Sequence, residues 1–120
     1  MVRVMDRPNP VTREGVARRL AAVRQYVGME KTPFAAWLGV NRTKYANWEN
    51  PVSGNFPAEE DMARLCELVP SLMLDYIYRG RFGALNTNLA LHLAALEAGD
   101  DPKTPGFDLT KYAGDVAVRR

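Results

Sequence analysis

The sequence predicts an all-α protein that consists of five helices and a helical C-terminal extension. Apolar residues recur at helical spacing in several segments, whereas the alternation of apolar and polar residues that marks strands does not rise above chance. Residues that start and stop helices separate these segments at short intervals. With 120 residues the chain fits one domain, and folding at this size buries about two thirds of the unfolded surface.

Cysteine and histidine are too scarce to stabilise the fold by cross-links. Cys66 and His92 are the single residues of their types, so neither an intramolecular disulfide nor a zinc site with four Cys or His ligands can form. Cys66 lies on an inward stripe and is expected to be a buried hydrophobe. His92 is expected to be either a surface residue or a minor pH-dependent contact.

Catalytic motifs are also missing from the sequence. No Ser or Cys stands in a nucleophile motif with a base, and neither a glycine-rich phosphate loop nor a metal-ligand spacing occurs. We therefore expect no catalytic residues, no metal site and no cofactor, and a protein that is not an enzyme.

The N-terminal segment and the hydropathy of the chain favour a cytoplasmic protein without contact to membranes. Arg3 and Asp6 interrupt the first apolar stretch, which therefore lacks the core of a signal peptide. No apolar run approaches the length that spans a membrane.

Charge is segregated along the chain although the formal net charge is only +2. Residues 1–50 hold nine Lys and Arg against four Asp and Glu, whereas residues 51–120 hold seven against ten. A basic half favours a face that meets a polyanion, although the more common outcome is an ordinary solvated surface.

The first segment of the chain predicts an extended arm followed by a helix. Residues 1–11 contain two prolines and no helical period. The first helix is predicted between an N-cap at Thr12 and a left-handed glycine at Gly28. Arg18 and Arg19 are expected on its exposed face. Its inward stripe comprises Val16, Leu20, Val23 and Val27.

A second, shorter helix is predicted to start at Thr32 and to stop at Gly39. Thr32 would cap it and Pro33 would occupy the first helical position, where the missing N–H does little harm. A helix of about six residues is not stable alone, so the next segment must pack against it. The apolar face comprises Phe34, Trp37 and Leu38.

The third helix is predicted over residues 41–50 and ends before Pro51. Tyr45 and Trp48 lie three residues apart and are expected to face inward. The polar residues that remain for the outward face are Asn41, Arg42, Thr43, Lys44 and Asn47.

Two further helices complete the five-helix domain. Residues 58–69 open with three acidic residues, which suit the positive end of a helix dipole. Ser71 is expected to cap a fifth helix that runs through Arg79. The inward residues predicted for these helices are Met62, Leu65, Cys66, Val69, Met73, Tyr76 and Ile77, with Leu72 as a further candidate.

Residues 81–120 are predicted to form the C-terminal extension. A sixth helix starts at Asn86 or Asn88 and continues to about residue 98. Its stripe of leucines either covers the five-helix domain or forms a dimer contact. Residues 99–106 have the composition of a linker, and residues 107–120 fit a short helix only weakly. The leucines of the stripe are Leu89, Leu93 and Leu96.

Two short helices around a glycine turn can bring a polar helix into DNA. When such helices meet at a steep angle, the second protrudes enough to enter the major groove, which is about 12 Å wide. The outward residues of the third helix suit this environment. Arg pairs with guanine, Asn with adenine, Thr contacts the thymine methyl group, and Lys binds phosphate or guanine.

Three parts of the sequence together resemble a known family. They are the stretch from Gly28 to Asn41, GMEKTPFAAWLGVN, then Tyr45 with Trp48-Glu49, and finally residues 74–80, LDYIYRG. They are similar to the helix-turn-helix and the closing helix of phage repressor and Cro-type (XRE-like) DNA-binding proteins. The resemblance covers about residues 13–80 and implies a DNA-binding domain over residues 12–80.

The resemblance implies structural roles for several residues. The small residue of the first motif helix falls on Ala35, and the turn glycine falls on Gly39. An ion pair that holds the recognition helix against the first helix would join Arg24 to Glu49. Tyr45 replaces the usual branched aliphatic residue, so the packing beneath the recognition helix is expected to differ.

The resemblance also implies DNA contacts. The base-reading positions fall on Arg42, Thr43 and Asn47, and Asn41 and Lys44 are placed for contacts to the backbone or to bases.

The start of the motif departs from the family. Glu30 and Lys31 replace the usual Ser or Thr and Gln, which moves the expected cap to Thr32. This leaves Lys31 as a phosphate contact.

These observations predict a sequence-specific regulator of transcription that binds double-stranded DNA, with repression as the form of regulation that the resemblance favours. A homodimer is expected, because one recognition helix reads only a few base pairs. The alternative is a protein-interaction module, such as an antitoxin or anti-repressor, with a protein partner bound through residues 81–120. A small-molecule sensor is a third possibility.

Overall fold

Six helices make up most of the computed structural model, which describes residues 12–52, 55–100 and Phe107. In chain order they are α1 (Arg13–Val27), α2 (Lys31–Leu38), α3 (Arg42–Trp48), α4 (Glu59–Leu68), α5 (Leu74–Arg79) and α6 (Thr87–Glu97). The predicted all-α class is confirmed, and these residues include no strand. The predictions for the N-terminal arm, most of the linker and the tail beyond Phe107 lie outside the described residues.

The longest helix, α1, is the centre of the fold. Thr12 caps it by accepting a hydrogen bond from the Gly15 N–H, and Gly28 ends it with a φ of 88°, as predicted. Its buried stripe is also as predicted. α1 packs against α5 and α6 and also contacts α3, so three other helices are positioned from it.

One continuous core receives side chains from all six helices. Asn86 is the residue that starts α6, because its side chain accepts a hydrogen bond from the Leu89 N–H. Leu89 and Leu93 are buried in the core, with Leu96 packed against it, so the leucine stripe covers the domain. None of the described helices is long and apolar enough to cross a membrane.

The start of α2 differs from the prediction. The helix begins at Lys31, and Glu30 is the N-cap residue although its side chain makes no capping hydrogen bond. Thr32 therefore lies inside the helix and Pro33 at its third position. Because the first N–H groups of any helix lack an intrahelical acceptor, proline is tolerated throughout the first turn and does not determine where the helix starts.

The predictions for Ser71 and Met73 were also wrong. Ser71 has a φ of 73°, and its hydroxyl oxygen accepts a hydrogen bond from the Asn86 N–H at 2.6 Å. Met73 is the N-cap residue of α5 and its side chain is exposed, while Leu72 is buried. The role of Ser71 depends on a residue 15 positions further along the chain, which local sequence patterns do not reveal.

Arg19 is buried, which corrects the prediction of an exposed side chain. Its guanidinium donates hydrogen bonds to the carbonyls of Ile77 and Tyr78, both at 2.9 Å. These carbonyls belong to the last turn of α5, where intrahelical donors are lacking. Gly15 provides the space, since a Cβ there would lie 3.0 Å from the guanidinium. Burial lowers the pKa of Arg19, against the opposing charge of Glu97.

Phe107 packs at the end of α1 beside α2. Its ring centroid lies 5.9 Å from those of Tyr26 and Trp37, and its N–H donates to the Tyr26 carbonyl at 3.4 Å. His92 meets Tyr26 edge-on at 4.9 Å between centroids and is buried. His92 is therefore not the surface residue that was one of its two expected roles.

Replacing Arg19 with Met should lower the free energy of unfolding by about 2 to 3 kcal/mol, because one buried and one partly buried carbonyl lose a charged donor. The adjacent Arg18→Met is the matched control, since Arg18 is half-exposed and pairs with Glu97 at 3.4 Å. Its loss should stay below about 1 kcal/mol. Urea denaturation measures both values, and equal losses would contradict the structural role of Arg19.

Candidate nucleic-acid interface

A tight turn between α2 and α3 positions the predicted recognition helix. Gly39 ends α2 with a φ of 89°, and its N–H donates to the carbonyl of Ala35 at 2.9 Å. Ala35 itself is buried in the core. Asn41 caps α3, because its side-chain oxygen accepts hydrogen bonds from the Thr43 and Lys44 N–H groups at 2.7 and 3.3 Å. Capping is therefore the role that the structure shows for Asn41.

α3 has one buried face and one exposed face. Tyr45 and Trp48 are buried, as predicted, and the Tyr45 ring lies edge-on to Phe34 at 5.2 Å between centroids. The larger packing residue at position 45 thus fills the contact between α2 and α3. The exposed polar residues of α3 are Arg42, Thr43, Lys44 and Asn47, and Lys31 is exposed at the first position of α2.

An ion pair joins the C-terminal end of α3 to α1. The Arg24 Nε lies 2.8 Å from a Glu49 carboxylate oxygen, with side chains that are 13% and 4% exposed. The pair that the resemblance implies is therefore present. Tyr45 donates its hydroxyl hydrogen bond to the same carboxylate, and Arg24 also donates to the Met29 carbonyl at 2.9 Å. Burial acts to lower the pKa of Arg24, but the hydrogen bond and charge of Glu49 raise it overall.

Arg13 supports the same end of α3. A terminal nitrogen of its guanidinium donates to the carbonyls of Asn47, Trp48 and Asn50 at 3.2, 3.3 and 2.7 Å. A positive charge at this position suits the negative end of the helix dipole. Sequence reasoning missed Arg13, because its acceptors lie 34 to 37 residues away along the chain.

Asp61 connects the first turn of α4 to α3 and α2. Its carboxylate lies 3.6 Å from the Lys44 Nζ and accepts a hydrogen bond from Arg64. The Arg64 Nε donates to the Leu38 carbonyl at 2.9 Å, and the Lys44 Nζ lies 5.8 Å from the centre of the Trp48 ring. The spacing of Asp61 and Arg64 on one helix face was visible in the sequence. The partnership with Lys44 was not.

The arginines of α1 do not add to the exposed face of α3. Arg13 and Arg24 hold its C-terminal end, Arg19 is buried against α5, and Arg18 pairs with Glu97. The arginines of α1 are thus engaged with carbonyls and carboxylates of the same chain. The cations that α2 and α3 carry are Lys31, Arg42 and Lys44.

The described residues offer little for metal or thiol chemistry. They contain no group of three or more His, Cys, Asp and Glu placed to hold a metal ion. Burial raises the pKa of the Cys66 thiol to about 11, so at neutral pH this half-buried side chain stays protonated and is a weak nucleophile.

Comparison with known proteins gives no match among family models, curated proteins or solved structures. The chain's own residues are therefore the source of information about its function. The feature that bears on function is the exposed polar face of α3. Asn41 caps the first turn of this helix, and Arg13 and Arg24 of α1 hold its C-terminal end.

Arg24→Met should lower the free energy of unfolding by about 3 kcal/mol, because it leaves the Glu49 carboxylate buried without its counter-charge. The control is the double variant Arg24→Met with Glu49→Gln, which removes both charges and should recover part of the loss. Urea denaturation of both variants tests this. A double variant that is less stable than the single one would contradict the expected coupling.

Stability should fall above pH 10 because of two buried phenols. Burial raises the pKa of Tyr45 and Tyr76 above their ordinary value of 10.0, with further contributions from Glu49 and Glu97. The unfolded chain releases these protons above pH 10 while the folded state retains them. The stabilisation is therefore complete below pH 10 and is lost as the pH rises.

Each buried tyrosine can contribute about 1.4 kcal/mol per pH unit to this loss. Tyr45→Phe should therefore reduce the slope of the unfolding free energy between about pH 10 and 11 by roughly 1 kcal/mol per unit. Urea denaturation across this range provides the measurement. An unchanged slope would show that Tyr45 ionises equally well in the folded protein.

Proposed function

We propose that this protein is a sequence-specific regulator of transcription, acting as a repressor of the phage repressor and Cro-type helix-turn-helix family, that binds double-stranded DNA. The observation that supports the proposal is that α3 exposes a polar face while both of its ends are fixed. Its polar residues Arg42, Thr43, Lys44 and Asn47 are exposed, while its ends are held by Asn41, Arg13 and the Arg24–Glu49 pair.

The dimensions and side chains of α3 suit the major groove. A helix with its side chains is about 10 to 12 Å across, and the groove is about 12 Å wide. Arg42 has the donor pair that matches the O6 and N7 atoms of guanine, and Asn47 matches the N6 and N7 atoms of adenine. The methyl group of Thr43 can contact that of thymine. Because both ends of α3 are fixed, its backbone loses little conformational entropy when it binds DNA.

Contacts to phosphate supply the part of the affinity that is independent of sequence. Lys31 is exposed at the start of α2 and is the cation assigned to this role. A phosphate contact of this kind makes binding weaken with salt, because counterions are released when the complex forms.

Dimerisation is part of the proposal, because α3 contains only seven residues. One such helix reads a few base pairs, whereas a two-fold dimer reads two half-sites about 34 Å apart. An inverted repeat in the bound DNA is the signature of this arrangement.

Selection of duplexes from a random pool by the full chain tests the function. An enriched inverted repeat supports a DNA-binding homodimer, and a single enriched half-site supports DNA binding by a monomer. If no sequence is enriched even at low salt, the proposal is wrong. That result favours the alternative of an antitoxin or anti-repressor that binds a protein partner through residues 81–120.

Arg42→Ala should cost about 1 to 3 kcal/mol on the selected sequence and relax preference at one base position, because it removes a base contact. Lys31→Ala should instead weaken binding to selected and random duplexes alike, and reduce the slope of log affinity against log salt by about one. Fluorescence anisotropy at several salt concentrations measures both. Equal losses on selected and random DNA for Arg42→Ala would contradict its role in base reading.

A further inference from the structure

The two cations paired with Asp61 are held in different ways. Arg64 is fixed twice, by the Asp61 carboxylate and by the Leu38 carbonyl at 2.9 Å. Lys44 meets the carboxylate at 3.6 Å through a side chain that is 54% exposed. Asp61 itself is almost buried, with 10% of its side chain exposed. Arg64, with a side chain that is 43% exposed, is thus held by two acceptors, and Lys44 is the more weakly held partner of Asp61.

Lys44 can exchange the Asp61 carboxylate for a phosphate of DNA. Ion pairs with a half-exposed member are weak, so a DNA phosphate can replace the carboxylate. A buried carboxylate that loses all its cations is strongly unfavourable. Because Arg64 stays in place, Asp61 keeps a counter-charge after Lys44 has left.

We infer that Asp61 sets the sequence discrimination of the proposed interface by competing with DNA phosphates for Lys44. On random DNA the contacts are electrostatic and variable in position, so exchanging one anion for another gives Lys44 little net gain. When Arg42, Thr43 and Asn47 meet matching bases, α3 is seated in the groove and Lys44 is aligned with a phosphate. Asp61 thereby increases the ratio of specific to random binding without touching DNA.

This inference rests on the proposed function and adds to it a positioning residue outside the recognition helix. Asp61→Asn keeps the shape of the side chain and removes its charge. Glu60→Gln is the matched control, because Glu60 is exposed in the same helical turn and changes the net charge by the same amount. Within the described part of the chain, Glu60 is in no ion pair with Lys44 or Arg64.

Fluorescence anisotropy compares the two variants on a random-sequence duplex and on the duplex that the wild type selects. Asp61→Asn should bind the random duplex about fivefold more tightly, with a salt slope steeper by about one, because Lys44 becomes available for a phosphate contact. Its affinity for the selected duplex should change less, so the specificity ratio falls. Glu60→Gln should bind both duplexes within about twofold of the wild type.

A second comparison changes the exposed member of the pair and leaves the Asp61 carboxylate with Arg64 as its counter-charge. Lys44→Gln should weaken binding to the selected duplex several-fold more than binding to the random duplex, because Lys44 reaches a phosphate fully only in the specific complex. Lys31→Gln, by contrast, should weaken binding to both. Circular dichroism during heating verifies that each variant is folded at the temperature of the binding measurement.

Two results would overturn the inference. One is equal binding of Asp61→Asn and Glu60→Gln to the random duplex, and the other is an equal weakening of both duplexes by Lys44→Gln. Failure of the proposed function has a different signature, since the wild type itself would then show no preference for any sequence.

Discussion

A seven-residue helix has too few internal hydrogen bonds to be stable alone, and the rest of this fold supplies what α3 lacks. Asn41 satisfies donors at its first turn, and Arg13 satisfies acceptors at its last. The ion pair with Arg24 fixes Glu49, the residue that directly follows α3. Both arginines come from α1, so the position of α3 depends on the position of α1. α1 in turn is fixed by its packing against α5 and α6.

The way in which arginines are used explains why net charge alone is a poor guide to the surface of this protein. The arginines of α1 donate hydrogen bonds to carbonyls and form ion pairs with carboxylates of the same chain, and Arg19 binds its two carbonyls from a buried position. The exposed cations that remain on α2 and α3 are few. Under the proposed function, Lys31 and Lys44 are the lysines of these two helices that can contact phosphate.

Local patterns predicted those parts of the structure that depend on neighbours within one helical turn. The caps at Thr12 and Asn86, the glycine that ends α2 and the inward positions of Tyr45 and Trp48 are of this type. The prediction for Arg19 failed because a long aliphatic stem lets an arginine follow an apolar stripe while its charge reaches acceptors far along the chain. The contact between Lys44 and Asp61 could not be predicted either, because the two residues lie on different helices and are distant in the sequence. The assignments of Lys31, Arg42, Thr43 and Asn47 to DNA remain predictions.

The extension after α5 belongs mechanically to the same unit as the predicted recognition helix. Leu89 and Leu93 are part of the core that surrounds α1, and Phe107 packs beside α2 at the end of α1. A side chain that distinguishes bases must be held to within about half an ångström, and a short helix achieves this only through the rigidity of its supports. Because α6 buries part of α1, and α1 carries both arginines that hold α3, the precision of the exposed face depends on residues well beyond the two helices of the motif. The segment that resembles the family ends near residue 80, but the hydrophobic core continues through Leu89 and Leu93 of α6.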